Sequence, residues 1–243
     1  MSRTLRLLIC NGMTRLATMP RFRLLLAAAL ATAMALPAVT ARAHPHEFID
    51  AALELRFDAD GALTDIGVEW RYDAFTTMLI LGDMGLNPAA ETLSPEEEAL
   101  LDGFDLNWME GYEGDLWPTQ GEVPIALGPP QPVATVMEDG QIISRHIRPV
   151  LTPVDPAQGP LVIQVYDPEY YIAYTIAAQT AIDGREDCRA RIFVPDLSAA
   201  RAQLDAAIDE LYAGGVVDIE EDFPAVGRHF AEEIRLDCSP QTD

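Results

Sequence analysis

Lysine is absent from this chain of 243 residues: all sixteen basic residues are arginine, against 39 acids, for a formal net charge of −23. A surface so acidic repels nucleic acid and anionic lipid and draws cations, which excludes a nucleic-acid-binding role. A lysine-free, acid-rich composition also suits a salt-adapted or GC-rich genome, so charge alone does not argue for metal binding. Only three cysteines and four histidines are present. No G-x-S-x-G, H-E-x-x-H or glycine-rich phosphate loop occurs, and no internal repeat or low-complexity tract. Carboxylates are too numerous for a catalytic pair to stand out. The residues therefore support no enzyme activity.

Long apolar runs are missing too, save one. The first 43 residues carry six arginines (Arg3, Arg6, Arg15, Arg21, Arg23, Arg42) and no acid, and residues 24–36 form an apolar run of thirteen. As a helix that run spans only ~20 Å, short of the ~30 Å hydrocarbon core of a bilayer. It is followed by Ala41-Arg42-Ala43, a small-x-small cleavage pattern. Residues 1–43 are expected to be a cleavable signal peptide, and residues 44–243 a single periplasmic domain with no membrane anchor. Cleavage after Ala43 removes six of the sixteen arginines and leaves ten against 39 acids, a net charge of −29. Two cysteines survive it, Cys188 and Cys238. In an oxidising compartment an isolated pair is most simply a disulfide.

Apolar residues at Ile49, Ala51, Leu53, Leu55 and Phe57 alternate with polar ones, the period of a half-buried strand. Asp58-Ala59-Asp60-Gly61 makes a turn, and Ile66, Val68, Trp70 and Tyr72 give the return strand its apolar face. A four-residue loop pairs Phe57 with Ala62, so that His46 faces Asp73, Phe48 faces Arg71 and Asp50 faces Glu69. Residues 74–86 read as helix. "LSPEEEALLDGF" carries a capping box on Ser94 and Glu97 with Pro95 in the first turn, and predicts a helix to about Gly111. β patterning follows from Pro118 to Ala178, with further strands over "CRARIFV" and about Phe230 to Leu236. Leu197, Ala200, Leu204, Ile208 and Leu211 step at helical spacing and stop at Gly214-Gly215. The order is α+β: a mainly antiparallel sheet, a helical insertion after the first hairpin and one C-terminal amphipathic helix.

Half of the histidines fall in "RAHPHEFID", at the head of the mature chain. Side chains two apart on a strand share a face with Cα atoms ~6.5 Å apart, so His44 and His46 can reach one metal ion. Asp73, Asp50 and Asp167 are the candidate oxygen ligands. A square-planar terminal copper or nickel site is excluded because Pro45 has no N–H to lose. A brace of the His44 amine, its own ring and His46 suits copper and stays open, as does a solvated, frayed terminus. His146 and His229 stand alone among apolar and arginine neighbours and read as structural. Asp167, before Pro168 and amid tyrosines, reads first as a turn residue.

The opening "AHPHEFIDAALELRFDADGALTDIGVEWRYD", the "GPP" after a strand, "VYDPEYYIAYTI" and the closing "VGRHFAEEIRLDC" together resemble domain-of-unknown-function family 1007. The resemblance spans nearly all of the mature chain. It implies a periplasmic component of an uncharacterised ABC-type transport system, of a kind often encoded beside nickel/cobalt exporters. Expected with it are a divalent transition metal (zinc, nickel, cobalt or copper) and a membrane permease or exporter as partner. The chain departs from relatives that carry a calcium-type acidic loop before the capped helix. With Glu97 as twelfth residue, Pro88, Ala90 and Thr92 would fall at ligand positions, which excludes an EF-hand. The rival expectations are a copper brace enzyme and a permease partner that binds no metal.

Overall fold

The computed structural model describes residues 45–176, 179–215 and 222–238. In chain order these form β1 (Glu47–Phe57), β2 (Leu63–Tyr72), α1 (Ala74–Asp83), α2 (Pro95–Leu101), β3 (Leu116–Gln120), β4 (Val123–Pro124), β5 (Gln131–Glu138) and β6 (Gln141–Val154). β7 (Leu161–Val165), β8 (Ile172–Ile176), β9 (Ala181–Asp183), β10 (Arg189–Phe193), α3 (Leu197–Ala213) and β11 (Glu233–Asp237) complete them. One sheet runs β5-β6-β2-β1-β8, with β9 also on β1, and the second runs β10-β11-β7-β3-β4. The class is α+β. The pairings are antiparallel except those of β8 and β9, which lie parallel to β1.

Alternation decides which face of the hairpin is buried. Ala51, Leu55, Leu63 and Ile66 have no exposed surface, and Ile49, Leu53, Val68 and Trp70 almost none. Burying side chains of this size contributes roughly 1.5–3 kcal/mol each, so slipping the strand by one residue would turn the whole set outward. Leu161, Ile163, Val165, Ile234 and Leu236 of the second sheet belong to the same core.

The hairpin register differs from the expected one by two residues. Ile49 pairs with Tyr72 and Asp50 with Arg71, which sets Phe48 rather than His46 beside Asp73. Two local causes combine. Asp58 Oδ1 accepts the Asp60 and Ala62 amides, drawing Ala62 into the turn, and an irregularity next to Phe57 leaves Thr64 as an extra residue. A slip of two preserves the side-chain parity, so the assignment of faces survives.

The helices also end earlier than their patterns suggest. α1 stops at Asp83, where Gly85 (φ +74°) turns the chain and the Leu86 amide donates to Leu81 O. α2 carries the full Ser94–Glu97 capping box but ends at Leu101 instead of about Gly111. Asp102 leaves the helical region there, and its carboxylate accepts the Thr135 amide of β5. Residues 102–115 then form an irregular loop with Gly103, Gly111, Gly114 and Asp115 at positive φ. The last strand begins at Glu233, because residues 227–230 make a 3-10 turn. Among the described residues no helix is long and apolar enough to cross a membrane.

Cys188 and Cys238 are joined, fastening the start of β10 beyond the end of β11 across 50 residues of sequence. Closing a loop of that length stabilises by ~4 kcal/mol on the chain-entropy account. Replacing both cysteines by serine is expected to lower the urea unfolding free energy by about that amount. A loss below about 1 kcal/mol would show that the reduced chain already holds the two strands together.

Candidate functional site

The start of β1 is held on both sides. The His46 and Glu47 amides donate to Tyr171 O (2.8 and 3.3 Å), and the His46 ring stacks on Tyr171 with centroids 4.5 Å apart and planes at 19°. On the other side the Asp73 amide donates to Phe48 O (3.1 Å), while the Phe48 amide donates to Asp73 Oδ2 (3.2 Å).

Asp73 is the N-cap of α1. Oδ1 accepts the Phe75 and Thr76 amides (2.7 and 3.0 Å), and Oδ2 accepts the Thr76 hydroxyl (2.8 Å) besides Phe48. Partial burial raises its pKa, but these hydrogen bonds outweigh that and hold the carboxyl below its ordinary value. All four acceptor positions of the carboxylate are occupied. Asp73 therefore lies beside β1 as a cap, not across from His46 with an open oxygen.

Asp167 organises the approach to β8. Oδ1 accepts the Glu169 amide (3.1 Å), and Oδ2 accepts those of Tyr171 and Ile172 (2.6 and 3.1 Å). Three of its four positions are filled, leaving one on Oδ1. The turn-residue reading of Asp167 holds, and the same turn seats Tyr171 under His46. Asp50 is exposed and four residues farther along β1, ~13 Å from His46, so it is not gathered here. His44, and with it the terminal copper brace, lies outside the described residues.

Glu47 completes the group and was not among the expected ligands. Its carboxyl is raised by burial and by Asp73 and Asp167, with His46 opposing. Its odd position, shared with Ile49, is the signal for a half-buried acid. Among the described residues no three His, Cys, Asp or Glu side chains are disposed to hold a metal ion.

A second polar set lies inside the fold, beneath residues 102–115. Ser144, His146 and Arg148 step by two along the buried face of β6, beside Trp70 and Tyr72 of β2. The His146 ring meets Trp70 and Trp108 edge-on at 4.9 and 5.8 Å, and the Arg148 guanidinium sits 4.7 Å above Trp108. Burial, reinforced by Arg148, lowers the His146 pKa to about 4, so the imidazole is neutral at neutral pH. Both of its nitrogens, Trp70 Nε1, and Oδ1 of Asp105 and Asp115 are buried without hydrogen-bond partners among the described residues. Asp105 accepts from Tyr72 and Ser144, and Asp115 accepts the Tyr112 and Tyr174 hydroxyls, each at 2.8 Å. Burial raises both acids, Asp115 to about 6. The signal for this cluster was available: polar residues at every second position of "SRHIR", where an apolar stripe would be expected.

A family model described as "Protein of unknown function (DUF1007)" matches residues 29–238. The chain is also similar to an "Uncharacterized protein" of Haemophilus influenzae, 24% identical over 200 residues that cover 81% of this chain and 91% of that protein.

Asp115 makes stability depend on pH. Its folded pKa of about 6 lies above the ordinary 3.8, so the folded chain binds its proton more tightly than the unfolded chain. The contribution is fully present below about pH 4 and is lost as pH rises through about 6, on the order of 3 kcal/mol in all. The difference in unfolding free energy between wild type and Asp115→Asn is expected to change by that order between pH 4 and 7. An unchanged difference would contradict the buried, raised carboxyl.

Proposed function

The chain belongs to the DUF1007 family, and on that premise we propose that it is an exported accessory protein of divalent transition-metal transport, taking a metal ion at the head of β1. The ion is cargo, held by the His44 and His46 imidazoles with one further oxygen, from Glu47 or from the open position of Asp167. One observation carries the reading. A single turn, closed by Asp167 on the Tyr171 amide, presents the carbonyl that anchors the His46 backbone and the ring on which its imidazole stacks. The chain's entry point, one imidazole and one carboxylate with acceptor capacity are thus tied to the same few atoms.

The donor chemistry fits borderline metals. Imidazole nitrogen with one or two carboxylates suits zinc, nickel, cobalt and copper alike. A bound cation would also offset the mutual repulsion of Glu47, Asp73 and Asp167. Asp73 contributes by placing β1 rather than by ligation, since release of one oxygen would uncap α1, at a cost of about 0.5–2 kcal/mol.

The partner in this reading is a membrane permease or exporter, and α1 offers it a face. Phe75 and Leu79 are 61% and 49% exposed, and no charged residue occurs from Ala74 to Gly82. In a chain of net charge −23, an uncharged apolar helix beside the head of β1 suits contact with another protein.

The test starts from the exported protein with its N-terminus fixed by intact mass. After dialysis against each of the four divalent ions, bound metal is counted by mass spectrometry. One ion per chain is expected, lost in His44→Ala and His46→Ala, weakened in Glu47→Gln and unchanged in Asp50→Asn. Full stoichiometry in both histidine variants would falsify the assignment. A saturating ion at a hundred times its Kd should also stabilise the fold by about 2.7 kcal/mol.

A further inference from the structure

A cavity of about 510 Å³ opens along β3, with Trp117, Tyr166, Gln164, Arg228, Glu122 and Ile125 among its lining residues. That volume falls within the range of small-molecule sites, roughly 300–1,000 Å³. Its wall is preassembled. Trp117 stacks on Tyr166 with centroids 5.1 Å apart and planes at 18°, and Trp117 Nε1 donates to Tyr166 O (2.9 Å).

The polar groups in it include an arginine that no carboxylate neutralises among the described residues. Arg56, Arg71, Arg145, Arg148, Arg185 and Arg235 each pair with a carboxylate. Arg228 does not. Its Nε donates instead to Oε1 of Gln164 (3.2 Å), a neutral amide with 7% of its surface exposed. The guanidinium's terminal nitrogens and the Gln164 amide nitrogen then have no protein acceptor among the described residues. With 39 acids to choose from, an arginine supported by a buried amide rather than neutralised by a carboxylate keeps its charge available to something else. Of the two acids lining the cavity, Glu113 lies 3.8 Å from Arg148, while Glu122 has no ion pair or hydrogen bond among the described residues.

We infer that this cavity binds a small zwitterion with an apolar body, a free amino acid or short peptide. Arg228 and Gln164 take its carboxylate, Glu122 its ammonium, and the Trp117–Tyr166 wall its side chain. Guanidinium and carboxylate make a charge-assisted, directional pair, and the buried amide fixes the guanidinium plane for it. The overall charge points to the same class. A field of −23 repels a simple anion and spreads simple cations over the whole surface, whereas a zwitterion carries no net charge against it and matches both unpaired groups.

Titration calorimetry of the full exported chain with leucyl-phenylalanine tests this, beside its C-terminal amide, its N-acetyl form and free leucine. Saturable one-to-one binding of the dipeptide is expected. Affinity should fall tenfold or more for the amide and in Arg228→Gln, and by less for the N-acetyl form and in Glu122→Gln. For the N-acetyl form, Glu122→Gln should cause no further loss. Circular dichroism checks that the variants stay folded, and His46→Ala should bind as wild type does, because His46 is not among the residues that line the cavity. No saturable heat with dipeptide or leucine overturns the inference. So does an amide that binds as tightly as the acid, or an unaltered affinity in Arg228→Gln.

Discussion

β1 is shared between a strand adjacent in sequence and two strands that follow more than a hundred residues later. Its hairpin mate β2 covers one edge, and β8 and β9 cover the other in parallel. Everything placed near the head of the strand depends on this double pairing, because each edge brings a carboxylate with it. Asp73 arrives with β2 and caps α1; Asp167 arrives with β8 and closes the turn under His46. Two acids that look like metal ligands by composition turn out to be structural by hydrogen-bond count, one completely and one in three of its four acceptor positions. In a chain this acidic, asking which lone pairs remain open separates ligands from caps better than counting carboxylates does.

The sequence makes the buried faces legible and the pairings less so. Period-two alternation marks Ile49 to Phe57 and Ile66 to Tyr72 as one hydrophobic surface, and burial follows it residue by residue. The register turns on finer detail: a side-chain bond from Asp58 and one extra residue at Thr64 displace it by two. The capping box at Ser94 announces where α2 starts, while its end depends on Asp102 finding a backbone amide on β5, a contact no local pattern contains. Parallel pairing of β8 with β1 is illegible for the same reason, since it depends on the chain leaving one sheet at Val165 and joining the other at Ile172.

The candidate site was legible in the same uneven way. His46 and Asp167 were visible as residues of suitable chemistry, yet only the fold shows that Tyr171 connects them. Glu47 went unnoticed although its parity assigns it to the core side. The interior set around His146 was missed as a group, because His146 read as structural on its own and the alternate positions Ser144, His146 and Arg148 were not read as one buried face. It brings two raised carboxyls and a neutral imidazole into the space under residues 102–115, where polar groups buried without partners each cost about 1–3 kcal/mol.

The second edge of β1 bears on how the molecule is assembled. Glu47 pairs with Ile172, 125 positions downstream. A chain made from its N-terminus presents β1 and β2 before β8 exists, and for that interval one edge of the strand shows unsatisfied amides and carbonyls to its surroundings. Such an edge recruits other extended chains as readily as its own, and contacts this distant in sequence form slowly. The order of synthesis therefore leaves the first strand of the newborn protein with an open edge until the last third of the chain has been made.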